Sequence, residues 1–310
     1  MSATPKQIDI VCAGELLIDL ISENFADHLD EADNFKRIQG GSPANLGMNM
    51  ARLGKKVQLV ASVGQDDMGT FLLESVQQLD MSTASIARRP QPTTLILVTR
   101  SKEVSNFEAY RGADCQIHDE QLPKSLLQST RLFHTTCFGL SQSPAQATIL
   151  AAARKAHQFG AQLSIDVNYA QKIWSDQATA QRIVADYCSQ EAIVKVSEVD
   201  WARLYGHQFE KAEVVGQHFL NLGARAVCLT LGGEGVWVFS KTAHHFLPPR
   251  PVKVRDTTGA GDAFWSGFLT AWLENATLLD CAKAGRNMAE FKIQRFGTLD
   301  QKVPIDILAD

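Results

Sequence analysis

The stretch Asp256-Thr257-Thr258-Gly259-Ala260-Gly261-Asp262-Ala263-Phe264 holds the residues most able to do chemistry. Small residues at 259–261 let a ligand come close to the main chain. Asp262 opens an apolar helical run, Ala263-Phe264-Trp265-Ser266-Gly267-Phe268-Leu269. Backbone N–H groups at a helix start, reinforced by the helix dipole, bind anions such as phosphate without a lysine. An aspartate at such a place has two readings. It could cap the helix, a role aspartate fills well. It could instead take the proton of an attacking hydroxyl, beside amides that hold a transferring phosphoryl group. That transfer needs positioning, charge stabilisation and a proton acceptor more than covalent help. The residues of this stretch leave both readings open.

Other glycine-rich chemistries are excluded by inspection. The P-loop pattern Gly-x-x-x-x-Gly-Lys-Ser/Thr is absent, and a dinucleotide fingerprint would need glycine where Phe264 stands. Protein-kinase signatures are also missing. Thirty Lys and Arg against 34 Asp and Glu, a net charge of -4, and no block of basic residues speak against a nucleic-acid partner. The six cysteines are scattered singly, with no Cys-x-x-Cys pair, so zinc and dithiol readings are weak and a reduced, cytoplasmic protein is expected. The N-terminus lacks the apolar core of a signal peptide, and no apolar run has the ~18 residues a membrane span needs.

The elements that must position this chemistry follow an α/β rhythm. Strand-length apolar runs at Ile8–Ala13, Val57–Val63, Leu132–Thr135, Gln162–Val167, Ala192–Val196, Ala226–Leu231 and Val236–Phe239 alternate with amphipathic stretches. The latter include Asn45–Leu53, Phe71–Leu79, Pro144–Phe159, Val214–Leu222, Asp262–Glu274 and Leu278–Gln294. Such alternation predicts a mainly parallel sheet covered on both faces, in one domain over residues 1–310. Two segments break the rhythm. Leu16–Phe35 turns acidic and irregular, and Thr93–Arg111 reads as a β-hairpin without a crossover helix, either a lid or an ordinary edge hairpin.

A second glycine cluster, Gly40-Gly41-Ser42-Pro43-Ala44-Asn45, is followed by Gly54 and Gly64. With Asp256–Asp262 and Ser266-Gly267 it makes a pair that resembles the two signatures of the ribokinase-type (pfkB) family of carbohydrate kinases, from about Ile8 to Gly297. Gly47 departs from the pattern, standing where the family usually has Ser, Thr or Ala. The resemblance implies a three-layer α/β/α fold with a small β-sheet lid formed by residues 16–35 and 93–111. It implies ATP-dependent phosphorylation of a sugar hydroxyl with Mg²⁺. Asp262 would be the catalytic base, and the backbone of Gly259, Ala260 and Gly261 the anion hole.

For the sugar, the resemblance points to Asp19, Gly40, Gly41, Asn45, Arg111 and Asn168. Asp166-Val167-Asn168-Tyr169-Ala170 resembles a family motif ending in arginine, so Ala170 removes a cation, a loss that Gln171 or Lys172 could partly compensate. For the nucleotide it points to Lys195, Thr230, Gly232, Gly235 and Asn287. Asp200 would act on Mg²⁺ indirectly, with Glu198 as rival. Asp256 and Thr258 match positions linked to a monovalent cation such as K⁺. Taken without the family, Asp19 and Arg111 read as surface charges, Asn45 as a helix cap and residues 230–235 as a hairpin turn.

Gly14-Glu15-Leu16-Leu17-Ile18-Asp19 and Gly-Gly-Ser-Pro-Ala-Asn look most like fructokinases. Ketodeoxygluconate kinases share much of the pattern. Ribokinases usually carry Gly-Lys-Gly where Gly41-Ser42-Pro43 stands. A different class, a sugar- or nucleotide-binding regulator without turnover, would keep the pocket and be free to lose Asp262. Apolar lid residues Leu95, Ile96 and Leu97 suggest a homodimer formed through the lid.

Overall fold

A computed structural model describes residues 6–26, 28–100, 107–295, 297, 299 and 302–309. Residues 101–106 of the expected lid hairpin therefore lie outside the described residues. The N-terminal half runs β1 (Ile8–Ala13), β2 (Leu17–Phe25), β3 (Phe35–Gly40), α1 (Ser42–Arg52), β4 (Val57–Gly64), α2 (Asp67–Gln77), β5 (Ile86–Arg89), β6 (Leu95–Arg100) and β7 (Phe107–Tyr110). It continues with α3 (Lys124–Gln128), β8 (Thr130–Thr136), α4 (Ala145–Gln158), β9 (Gln162–Asp166), α5 (Gln177–Cys188), β10 (Ile193–Ser197), α6 (Glu198–Tyr205) and α7 (Ala212–Asn221). The chain closes with β11 (Ala226–Thr230), β12 (Val236–Ser240), β13 (His244–Leu247), α8 (Ala260–Leu273) and α9 (Leu278–Ile293).

Nine strands form one sheet in the order β13-β12-β11-β10-β9-β8-β1-β4-β5. Pairing is parallel from β11 to β5, and antiparallel only in the β11-β12-β13 edge. β1 shows why the sheet is covered twice. Its side chains alternate, and both sets are buried. Val11 and Ala13 join a core with Ile149, Val184, Leu204 and Phe219 from α4 to α7. Ile10 and Cys12 join another with Leu46, Leu72, Phe268 and Cys281 from α1, α2, α8 and α9. These are the three expected layers. All six cysteines are buried free thiols, and burial pushes those of Cys115, Cys188 and Cys281 up to about 12, which leaves them unreactive.

The segments that broke the rhythm form a second sheet, β3-β2-β6-β7. It reaches Gly40, beyond the expected end at residue 35. Of the side chains expected to join two subunits, Ile96 is buried and Leu95 packs on the core behind α1 and α8. Phe25 and Tyr110, each 61% exposed, are the large apolar groups that this sheet presents to solvent among the described residues.

Two helix starts differ from expectation for one reason. α1 begins at Ser42 with Gly41 as N-cap, and α8 begins at Ala260 with Gly259 as N-cap. Gly259 has φ 72°, a left-handed conformation that glycine adopts without the penalty of a Cβ. Asp262 thus stands at the third position of α8 rather than at its cap, and Asn45 is the fourth residue of α1 rather than a cap.

Candidate active site

The C-terminal ends of β1, β8, β9 and β10 converge with the starts of α1 and α8, the crevice where open parallel sheets carry ligands. Asp262 is at the centre. Its Oδ1 accepts the Ser42 hydroxyl at 2.7 Å, and its Oδ2 accepts the Asn45 amide at 2.9 Å. Asn45 is oriented in turn by Gln39 Nε2, which donates to Asn45 Oδ1 at 2.9 Å. The two glycine clusters thus meet through side chains 217 and 220 residues apart. Burial pushes Asp262 up to about 6, and the Asp166 charge adds to this, against the bonds from Ser42 and Asn45 and the charge of Lys195. A carboxylate so poised is ionised at neutral pH and basic enough to take a proton.

Lys195 lies on β10 in register with Asp166 on β9, and its Nζ bonds Asp166 Oδ2 at 2.7 Å. Both side chains are buried. Burial works against the ammonium, but the charges of Asp166 and Asp200 outweigh it and hold Lys195 protonated. A Cβ placed on Gly261 would stand 3.4 Å from Lys195 Nζ, so this charge sits beside the turn that opens α8. The first amides of α8 and the ammonium together form a positive cradle next to Asp262.

Asp166 Oδ1 is buried with no hydrogen-bond partner among the described residues. Asp200 is half-spent: it accepts from Ser197 N–H at 3.0 Å and from the Ser197 hydroxyl at 2.6 Å as a capping box on α6. Burial and the Asp166 charge push it up to about 6. Among the described residues no group of three or more acidic, His or Cys side chains could hold a metal alone. An open carboxylate oxygen on Asp166, with Asp200 near it, fits Mg²⁺ kept largely in water and phosphate oxygens. Glu198, the rival, is a first-turn residue of α6.

The second sheet brings Asp19 over the crevice. Asp19 pairs with Ile38 and Ile96 across β2, and a Cβ on Gly40 would meet its Oδ2 at 2.1 Å, so only glycine leaves it room. Burial, then the Asp262 charge, push Asp19 up to about 7. Beneath it, Glu15 is buried, accepting from Ser42 N–H at 3.2 Å and from Thr136 Oγ1 at 2.9 Å, and burial pushes it up to about 8. Gly41 lies against the Glu15 carbonyl.

Other expected residues are placed differently. Arg111 follows the last strand of the small sheet and is committed: its guanidinium pairs with buried Asp114, donates to Ser141 Oγ at 2.7 Å and stacks 4.3 Å over Phe138. Asn168 Oδ1 accepts Phe138 N–H at 3.1 Å. Lys172, a candidate to replace the arginine lost at Ala170, instead holds β7 through Glu108 and the Phe107 carbonyl. Thr230 ends β11, and Gly232 and Gly235 make the tight hairpin into β12, a turn that is compatible with the nucleotide reading as well. Asn287 is not brought to this cleft. Its amide donates to the Leu308 and Ala309 carbonyls and accepts from Arg250, so it ties the C-terminal segment down. Asp256 Oδ1 accepts Thr258 N–H at 3.0 Å, locking the loop before α8.

Sequence reasoning missed Ser42, Asp166 and Glu15 as site residues. Opposite charges at the ends of two apolar strands were the available signal for Asp166 and Lys195. Nothing local marks Ser42 as a partner of Asp262.

The description "pfkB family carbohydrate kinase" matches residues 7–305. The chain is 31% identical over 303 residues to an ATP-dependent 6-phosphofructokinase of Thermoanaerobacterium thermosaccharolyticum, covering 98% of this chain and 93% of the relative. It is 30% identical over 276 residues to fructokinase-2 of Solanum lycopersicum, covering 87% and 84%. The solved fructokinase of Halothermothrix orenii superposes with a TM-score of 0.79 at 30% identity, over 94% of this chain and 100% of that one. A putative ribokinase II from E. coli shares the fold at a TM-score of 0.85 and 18% identity, over 97% of each chain. With its two signatures joined at Asp262, the chain belongs to the pfkB family of carbohydrate kinases.

Proposed function

We propose that this enzyme transfers the γ-phosphoryl group of ATP to a hydroxyl of fructose. The observation that carries the reading is Asp262, held by Ser42 and Asn45 between the Lys195 cradle and the sheet bearing Asp19. Asp19 accepts sugar hydroxyls. Asp262 takes the proton of the reacting hydroxyl as its oxygen bonds to the γ-phosphorus and the bond to ADP breaks. Lys195 and the amides that open α8 stabilise the charge gathering on the phosphoryl oxygens; of the expected Gly259–Gly261 anion hole, Ala260 N–H is engaged by the Thr257 carbonyl at 3.1 Å, which shifts the role toward Gly261 and Asp262. Asp166 and Asp200 would hold Mg²⁺ through its water shell, and the bound ion would supply charge neutralisation on the β/γ-phosphates. The small sheet acts as a lid that excludes water, which would otherwise accept the phosphoryl group.

A second reading follows from the relative named as a 6-phosphofructokinase. A phosphosugar, or a keto-acid sugar such as ketodeoxygluconate, needs a cation to spare on the lid side. Arg111 and Lys172 are already paired with Asp114 and Glu108, which favours a neutral sugar. ADP release with Mg-ATP and fructose, fructose 6-phosphate, ketodeoxygluconate, ribose, tagatose and glucose decides between them. Turnover on fructose is expected; turnover only on an anionic sugar would overturn the substrate, and none on any sugar the kinase reading.

Two further expectations arise here. kcat/KM should fall below about pH 6 as Asp262 protonates, and Ser42→Ala should move that acid limb upward by about half to one pH unit, because it removes a donor that favours the carboxylate. An unmoved limb in a folded S42A variant would mean that another group controls it. For assembly, a homodimer through the lid would use Phe25 and Tyr110 as its apolar anchors. Light scattering should then give twice 34.0 kDa, and Phe25→Ser should lower it to one; a monomeric wild type removes the idea. The cytoplasm is the compartment we assign, since six free buried thiols suit reducing conditions. No helix among the described residues is long and apolar enough to cross a membrane.

A further inference from the structure

The family likeness put a monovalent cation at Asp256 and Thr258, yet the surroundings of that loop do not fit one. Lys292, near the end of α9, has a side chain only 9% exposed, and its Nζ stands 3.7 Å from Asp256 Oδ2. That nitrogen is buried and has no hydrogen-bond partner among the described residues. Both carboxylate oxygens of Asp256 already accept N–H groups, Oδ1 from Thr258 at 3.0 Å and Oδ2 from Gly297 at 3.1 Å. Burial would raise Asp256, but these bonds and the Lys292 charge outweigh it and keep the group below the ordinary carboxylate range.

A bound potassium ion needs several oxygen ligands and a local excess of negative charge. Among the described residues that line this space, the one carboxylate is matched by an ammonium from the chain itself. The cavity that holds Lys292 is also lined by Asn45, Asn49, Arg52 and Gly259, so a second basic side chain faces the same space. Lys292 also lies against the glycine turn: a Cβ on Gly259 would meet its Cε at 4.0 Å. The charge is therefore fixed behind the turn whose amides open α8.

We propose that the Lys292 ammonium is the resident cation of this turn, holding the Asp256–Gly259 loop in place so that the enzyme works without potassium or any other monovalent cation. A tethered ammonium needs no ion from solution and cannot dissociate. This rests on the kinase reading for its activity arm only.

The test compares wild type and Lys292→Met with potassium chloride or tetramethylammonium chloride at an ionic strength of about 0.1 M, where screening is equal. Turnover, ADP affinity by calorimetry and melting temperature are read in each salt. Wild type should be indifferent to the salt, within about twofold in kcat/KM. Lys292→Met should lose about tenfold or more in tetramethylammonium and recover part of it in potassium. A wild type activated about fivefold or more by potassium, or a potassium-specific rise in its melting temperature, overturns the proposal. So does a folded Lys292→Met that is fully active without potassium, or one that is impaired and not rescued by it. If Lys292→Met fails to fold, the wild-type arms decide alone. If no sugar is turned over, the kinase reading has failed, while calorimetry and melting still judge the cation.

Discussion

Asp262→Asn is expected to lower kcat by about 10²–10⁴-fold, the usual loss when a general base is removed, while sugar and ADP affinities stay within about threefold. The local geometry supports this separation. Asn45 can only donate toward position 262, through Nδ2. Ser42 is a hydroxyl and can reverse its role. The introduced amide would turn its oxygen to Asn45 and its NH₂ to Ser42, keeping both bonds and the α1–α8 junction. It would lose only basicity. Calorimetry beside an ADP-release assay measures the two effects apart. A variant retaining more than about a tenth of wild-type kcat would show that the hydroxyl needs no base at this position. A binding regulator would show no turnover to lose in either form.

The reach of the sequence differs from one part of the molecule to another, for physical reasons. The central strands were legible because a strand buried on both faces reads as an unbroken apolar run, as Ile8–Ala13 does. α5 and α6 escaped notice. Their start signals, Asp176 and the Ser197–Asp200 capping box, lie in segments whose apolar periodicity is weak, and Asp200 answers to an acidic family position as well as to a helix start. Asp262 was legible because its glycine turn is local. Its partners were not: Asn45 was expected to meet the sugar and meets Asp262, and Ser42 was not expected at all. Asn287 and Arg111 stand at positions where the family likeness implies a ligand contact, and the fold engages their side chains with the C-terminal backbone and with a buried aspartate, which no local spacing announces. Contacts between distant segments depend on strand order and helix placement, which no local spacing encodes.

The pair Lys195–Asp166 allows structure and catalysis to be separated by experiment. Lys195→Met should lower kcat/KM by about 10²–10³-fold, the scale for losing a preorganised charge beside a transferring group. It should also destabilise the fold by about 3–5 kcal/mol, because Asp166 would be left buried and uncompensated. Loss of activity alone would therefore be ambiguous. Changing Asp166 as well, to Leu, removes the stranded charge and should restore most of the stability, since a buried ion pair can be exchanged for apolar packing at little net cost. The double variant should melt near wild type and remain as inactive as Lys195→Met. Lys195 is also one of the charges that lower the Asp262 pKa, so residual activity in Lys195→Met alone, with Asp166 still present, should show its acid limb above about pH 6. Activity returning along with stability in the double variant would reduce Lys195 to a structural strut. Stability returning without activity shows that the pair is needed for transfer as well as for folding, through the Lys195 ammonium, 3.4 Å from where a Gly261 side chain would begin, or through the Asp166 carboxylate that would meet Mg²⁺.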